Sequence, residues 1–415
     1  MARSYWVETL GCPKNQVDSD KLVGTLTADG LVPSDAPGDA DVIVVNTCAF
    51  IEEARQESVD TILALAGARR TGAQLVVTGC LAERYGAELA GALPEVDLVA
   101  GFGVPVSIGR RPDGDPVPLM DLLNLPRPAA TAPWAYVKIA EGCDRACGFC
   151  AIPTFRGPQR SRPVRAILEE VDALGAQEIV LVAQDLASYG RDQGEGERAI
   201  VPLVEAVAAR VARVRLLYLY PSDLTGALVD AICSTRVPYF DLSLQHVSRP
   251  LLRRMRRWGD GERFLGRIAD IRGREPGAAF RSNFIVGYPG ETEDDHDALL
   301  RFVEEAQLDW CGFFAFSRED GTYADGLDGH VPRELVRERL AELSELQDGI
   351  TAARRDDIVG AEVQVLVDEP GEGRTYREAP EIDGIVHVPG DLDPGTFASL
   401  TVTAAAGPDL WAERA

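Results

Sequence analysis

Short apolar runs alternate along this chain with longer stretches in which apolar positions recur at helical spacing. The runs read as strands and the stretches as the buried faces of helices. In the first third, runs at 4–9, 41–46 and 74–78 are each followed by helical periodicity, at 18–28, 52–65 and 82–93. That order predicts an α/β domain, a parallel sheet with helices on its faces. Further runs at 134–140, 178–183, 215–220, 239–244, 280–286 and 312–316, with helical stretches at 164–174, 203–211, 224–234 and 293–307 among them, predict an open, partial (β/α) barrel. An amphipathic helix over 332–357, with Leu335, Leu340, Leu343, Leu346 and Ile350 in register, closes it. From 359 onward, alternating runs at 362–367, 385–388 and 397–402 between Gly- and Pro-rich turns predict a small antiparallel β-barrel. The proline-rich, aperiodic stretch 110–133 reads as a linker. The expected domains are 1–125, 126–357 and 358–415.

Composition narrows the class. With 46% apolar and 26% charged residues the chain is globular, and no run approaches eighteen uninterrupted apolar residues. The N-terminus carries no apolar signal region, so a cytoplasmic protein with no membrane partner is expected. The net charge of −24 is spread over all three segments rather than confined to a tail. Such a surface suits a phosphate backbone poorly, which argues against direct RNA binding and favours a basic partner. Basic residues are 39 Arg against 3 Lys, which reads as codon bias.

Eight cysteines in a reducing compartment point to metal or redox chemistry rather than disulfides. Cys143, Cys147 and Cys150 stand at C-x3-C-x2-C spacing just past the strand at 134–140. Three thiolates in one loop can wrap a corner of an iron–sulfur cube, leaving one iron without a protein ligand. An open coordination position of that kind is a place for chemistry. A structural zinc site would need a second knuckle or nearby histidines, and none of the four His is near. Cys12, Cys48 and Cys80 each follow the C-terminal end of a strand, the edge at which open α/β sheets bind ligands. One cysteine there would read as a small hydrophobe. Three in the same topological place predict a second cluster, again with one exchangeable iron. Cys233 and Cys311 lie in apolar contexts and read as core.

The C-x3-C-x2-C loop resembles that of the radical S-adenosylmethionine superfamily, in which the amino and carboxylate groups of S-adenosylmethionine occupy the open iron and reductive cleavage yields a deoxyadenosyl radical. The wider layout resembles the methylthiotransferases across nearly the whole chain. The matching residues are Leu10-Gly-Cys-Pro-Lys-Asn15, Asn46-Thr-Cys-Ala-Phe50, Gly79-Cys80, the loop 141–150 with Ile152-Pro153 and Arg156-Gly157, Gln245-His246, the turn 287–292 and Phe316-Ser-Arg-Glu319. The resemblance implies two 4Fe-4S clusters: an auxiliary one on Cys12, Cys48 and Cys80 that handles sulfur, and a radical-generating one on Cys143, Cys147 and Cys150. It also implies S-adenosylmethionine, as methyl donor and radical source, and a reductant such as flavodoxin or ferredoxin. The Cys12-Pro-Lys-Asn15 variant is similar to the branch that methylthiolates the β-carbon of an aspartate in small-subunit ribosomal protein number twelve, free or in the ribosomal particle. The tRNA branch usually shows a glutamine–methionine pair there. The terminal barrel resembles the TRAM module, which binds RNA in related proteins, but here it carries 11 acidic against 3 basic residues.

Polar and Gly/Pro residues at strand exits suit the nucleoside and methionine parts of the cofactor: Gln184, Gln245, Gly287, Pro289, Gly290 and Glu291. Each also has a plain reading as loop punctuation, and His246 alone reads as a hydrogen-bonded structural histidine. Arg156, Arg160, Arg162 and Arg165 flank the cysteine loop and could take a carboxylate, whereas Arg253, Arg254, Arg256 and Arg257 read as a solvated face. Leu242-Ser243-Leu244 before Gln245 departs from the family, which more often has proline near this strand end. The competing readings are methylthiolation of a modified adenosine in tRNA and an iron–sulfur scaffold without radical chemistry.

Overall fold

The computed structural model describes residues 2–104, 121–194 and 199–414. Its first lobe runs β1 (Ser4–Thr9), α1 (Pro13–Ala28), β2 (Val32–Pro33), β3 (Val42–Thr47), α2 (Glu52–Ala68), β4 (Gln74–Gly79), α3 (Cys80–Ala92) and β5 (Leu98–Val99). The five strands form one parallel sheet in the order β2-β1-β3-β4-β5. Alternate residues of β3 face opposite sides: Val42 and Val44 pack with Leu22 and Leu26 of α1, and Ile43 and Val45 with Ile62 of α2 and Leu81 of α3. Burial on both faces is why β3 and β4 are continuous Val/Ile runs. The two-residue edge strands β2 and β5 lack such a run and have no counterpart in the periodicity.

The central lobe contains β6 (Trp134–Lys138), β7 (Ala140–Glu141), α4 (Ile152–Arg156), β8 (Arg160–Ser161), α5 (Val164–Leu174), β9 (Glu178–Val182), α6 (Ile200–Ala208), β10 (Arg213–Leu216), α7 (Gly226–Ser234), β11 (Tyr239–Gln245), α8 (Arg249–Arg254), α9 (Gly261–Arg274), β12 (Ala279–Val286), α10 (Glu293–Ala306), β13 (Trp310–Ala315) and α11 (Arg333–Asp356). Two parallel three-stranded sheets, β10-β9-β6 and β11-β12-β13, meet through the bridge Leu219 to Leu242. The strand expected at 215–220 is therefore split. Tyr218 adopts φ +65°, its N–H donates to Asp241 Oδ2 at 3.0 Å, and the chain re-enters the sheet only at Leu219. The result is an open barrel with helices outside. Tyr136, Val180, Val182, Tyr239, Ala279 and Trp310 fill its interior together with Val17 of α1. The stretch 121–133 is not a free linker: Leu122 and Leu123 are buried, and Lys21 of α1 donates to the Leu123 carbonyl. The linker's earlier part, 110–120, lies outside the described residues.

The last lobe is a closed barrel of β14 (Glu362–Glu369), β15 (Glu372–Arg374), β16 (Val386–His387), β17 (Phe397–Ala406) and β18 (Asp409–Glu413), in the order β14-β15-β16-β18-β17. It is antiparallel except for β16 and β18, which pair parallel. Its loop 375–383 caps the end of the central barrel where the strands begin, with Ala379 in the interior cluster. Trp310 Nε1 donates to the Arg377 carbonyl at 2.7 Å, Tyr239 Oη to Asp383 Oδ2 at 2.6 Å, and Arg215 to Glu178 Oε1 at 2.7 Å and the Tyr376 carbonyl at 3.0 Å. The opposite, C-terminal ends of the strands remain for the first lobe and the cysteine loop. Among the described residues no helix is long and apolar enough to cross a membrane.

Candidate active site

Adjacent parallel strands β1, β3 and β4 deliver Cys12, Cys48 and Cys80 to one edge, because their ends lie level: Thr9 pairs with Asn46 and Thr47 with Gly79. Close approach of the backbones requires two glycines in left-handed conformations. A Cβ at Gly11 (φ +94°) would lie 2.8 Å from Cys48 Cβ, and one at Gly79 (φ +90°) would lie 2.6 Å from both N and O of Thr47. Asn15 ties the edge together, donating to the carbonyls of Leu10 at 2.9 Å and Thr47 at 3.0 Å while its Oδ1 faces Cys80 Sγ at 3.6 Å. Burial pushes the Cys48 thiol up to about 12 and raises that of Cys80. Burial acts the same way on Cys12, but there Lys14 and Arg156 outweigh it and lower the value.

Cys143, Cys147 and Cys150 occupy the loop after β7, level with the C-terminal ends of β6 and β9. Arg145 inside the loop is clamped by Asp185 at 2.6 Å and by Asp223, with its guanidinium 3.9 Å from the Tyr220 ring centroid. Arg257 donates to Cys147 Sγ at 3.1 Å and its guanidinium lies over the same ring at 4.4 Å. Burial raises Cys143 to about 11 and Cys150 to about 12. The donor set fits iron–sulfur clusters: each site has three sulfurs, cations positioned to offset cluster charge, and two thiols (Cys48 and Cys80, Cys143 and Cys150) that burial keeps protonated until a metal displaces the proton. Among the described residues no three His, Cys, Asp or Glu converge as a single-ion site would.

The two sets of cysteines meet through two side chains. Arg156, at the end of α4, donates from Nη2 to Cys80 Sγ at 3.0 Å and Asn15 Oδ1 at 2.9 Å, and from Nη1 to Glu141 Oε1 at 2.7 Å. Glu141 precedes the cysteine loop. Burial alone would raise its pKa, but Arg156 and Lys138 hold it well below the usual carboxylate range. Lys14 also crosses between lobes: its Nζ sits 3.6 Å from the centroid of the Tyr218 ring. Lys14 is 9% exposed and, among the described residues, has no hydrogen-bond or ion-pair partner. A ring face returns only ~0.5–2 kcal/mol to a cation.

The other expected residues divide. Gln184 Nε2 donates to Glu141 Oε1 at 2.7 Å, and its own Oε1 is buried with no hydrogen-bond partner among the described residues, as are Oδ1 of Asp185 and Nε of Arg257. These orphaned groups fit a polar cofactor beside the loop. Gln245 stands at a bulge with φ +69°. Glu291 is fully engaged by the protein, Oε2 accepting from the Gly287 and Tyr288 N–H groups and Oε1 from Arg339 at 2.8 Å. It braces the turn that carries Gly287, buried Pro289 and exposed Gly290, whose N–H donates to the Gly329 carbonyl at 2.7 Å. His246 is buried, its Nδ1 accepting from Ser248 N–H at 3.0 Å, and burial lowers its pKa to about 4. Of the first arginine group only Arg156 reaches the site: Arg160 and Arg165 pair on the surface with Asp121 and Glu169, and Arg162 with Glu170. Arg257 overturns the solvated-face reading of the second group, because the turn after α8, in which Arg256 has φ +55°, brings it inward. Sequence reasoning also passed over Lys14, Arg145 and Tyr218.

An open (β/α) barrel presenting three loop cysteines at its C-terminal mouth defines a radical S-adenosylmethionine enzyme. Residues 137–303 match the Radical SAM superfamily, 4–101 match Uncharacterized protein family UPF0004, and 359–414 match the TRAM domain. The fold is also that of TsrM from Kitasatospora setae, a radical S-adenosylmethionine methyltransferase solved with tryptophan and an S-adenosylmethionine analogue (TM-score 0.52, 13% identity, 95% of this chain and 82% of that one). Among relatives, "Ribosomal protein uS12 methylthiotransferase RimO" of Moorella thermoacetica is 44% identical over 96% of each chain. The protein of that name from Kineococcus radiotolerans is 41% identical over 99% of this chain and 97% of its own, and that from Aquifex aeolicus 41% over 97% and 95%. The chain belongs to the ribosomal protein uS12 methylthiotransferase family.

Proposed function

We propose that this enzyme attaches a methylthio group to ribosomal protein uS12, at the β-carbon of an aspartate. Cys143, Cys147 and Cys150 would hold the cluster that cleaves S-adenosylmethionine, and Cys12, Cys48 and Cys80 the one that handles sulfur. Gln184, Gln245 and the turn at 287–290 would contact S-adenosylmethionine. When bound, these groups supply a hydrogen-abstracting radical, a methyl group and a sulfur atom. The chain supplies alignment: the single observation that carries the reading is the Cys80–Arg156–Glu141 link, which fixes the sulfur edge of one lobe against the cysteine loop of the other. Holding a short-lived carbon radical beside its sulfur donor replaces a bimolecular encounter, an effect worth several kcal/mol. A one-electron donor such as flavodoxin or ferredoxin completes the reaction, and the setting is the cytoplasm. The protein's acidity favours a basic protein over RNA as partner. The test is anaerobic reaction of the reconstituted enzyme with S-adenosylmethionine, sulfide and reductant, offering uS12 and tRNA in parallel. A mass gain of one methylthio group on uS12, with deoxyadenosine formed, is expected; a gain on tRNA alone, or no deoxyadenosine, would overturn the assignment.

A further inference from the structure

We propose that Lys14 is the receptor for the carboxylate of the substrate aspartate, seated between the sulfur edge of the first lobe and the mouth of the central barrel. The inference rests on the function proposed above. All three lysines of this arginine-rich chain are buried, at 9%, 0% and 0% exposure for Lys14, Lys21 and Lys138. Composition otherwise favours arginine, and a buried site that keeps lysine needs a compact ammonium rather than a planar fork. The other two have carboxylate partners: Lys138 pairs with Asp18 and with Glu141 at 2.6 Å, and Lys21 with Glu170 at 3.5 Å. Lys14 has no carboxylate partner among the described residues: beside it are the face of the Tyr218 ring and the Cys12 thiol, whose pKa it lowers.

Its position restricts what a partner there could be. Lys14 lies two residues from Cys12 and reaches across the lobe boundary to Tyr218, in the seam between the two halves of the central sheet. Tyr218 in turn feels the charge of Cys12. A carboxylate bound there would hang its adjacent carbon beside the sulfur edge, which is the atom the reaction must address. An amide or a neutral base would leave the ammonium uncompensated, so the same contact selects aspartate.

The test is equilibrium binding of uS12, and of uS12 with the target aspartate changed to asparagine, to the anaerobically reconstituted enzyme. Wild type should prefer the aspartate form by tenfold or more, Lys14→Met should bind both forms equally, and Lys14→Arg should keep a reduced preference. Iron and sulfide content should be unchanged in Lys14→Met, which shows that both clusters are still assembled. A retained preference in Lys14→Met overturns the inference, as does an altered cluster spectrum with the preference intact, which would make Lys14 a counter-charge for the cluster. If neither form binds to wild type, the substrate assignment itself falls and this inference with it.

Discussion

Arg156 and Cys80, 76 residues apart in the chain, lie 3.0 Å from guanidinium to sulfur across the boundary between two lobes. The arginine follows the last loop cysteine by six residues, so one side chain belongs to the radical site by sequence and to the sulfur site by contact. A cation and N–H donor at a cluster sulfur stabilise the reduced state.

Removing that contact should therefore lower the reduction potential of the auxiliary cluster. In a Cys143→Ala, Cys147→Ala, Cys150→Ala background, which leaves one cluster, Arg156→Leu is expected to shift the midpoint down by tens of millivolts, on a scale where ~59 mV is tenfold for one electron. Potentiometric titration followed by paramagnetic resonance measures it. An unchanged midpoint would show that the contact does not tune the cluster.

Two independent cubane sites predict a simple stoichiometry. Cys12→Ala, Cys48→Ala, Cys80→Ala should retain about half the iron and sulfide of the reconstituted wild type. Full retention would mean that these three cysteines hold no cluster.

Glu319 locks the lobes together. It is 2% exposed and accepts from Arg55 at 2.5 Å and Arg84 at 2.6 Å, both from the first lobe, and from Ser317 at 2.6 Å. Glu319→Ala should cost about 3–5 kcal/mol, since it strands two cations at a closed interface. Denaturant unfolding gives the magnitude, and hydrogen exchange should show deprotection concentrated around 49–58 and 315–322.

The docking of the terminal barrel carries a pH signature. Burial would raise the pKa of Glu178, but Arg215, Arg374 and Arg213 overcome it and hold the value at about 2. Unfolded, the group titrates near 4.5, so its contribution of about 3 kcal/mol is present above that pH and is lost as pH falls from about 4.5 towards 2. Asp383, raised by burial to about 6, acts with opposite sign: the native state takes up its proton first, and stability grows as pH falls from about 6 to about 4. Stability should peak at about pH 4 in acid titration, where the Glu178 loss overtakes the Asp383 gain. Asp383→Asn should abolish the rise on the neutral side, and Glu178→Gln should flatten the fall on the acid side.

Association with uS12 should be electrostatically steered, given a net charge of −24. The on-rate is expected to drop about tenfold or more as salt shortens the screening length from ~30 Å at ~0.01 M to ~8 Å at ~0.15 M. Stopped-flow binding over that range would expose a salt-independent encounter.

The amino-acid sequence by itself determined most of the longer strands and helices and the strand ends at which all six cysteines stand. Periodicity is local, and a cysteine at the end of a parallel strand is placed by topology before any packing is known. The same reasoning failed for side chains whose partners lie on another lobe. Arg257 and Arg253 look alike in the chain, yet one points at Cys147 and the other at solvent. Glu291 reads as a ligand in its turn but is consumed by Arg339 of a helix 48 residues on. Lys14 is one residue of a motif until Tyr218, delivered by a distorted strand in the central sheet, closes over it. Such contacts are decided by how preformed surfaces dock, where burial sets the cost of an unpaired charge and only the assembled structure shows which charges have been paired.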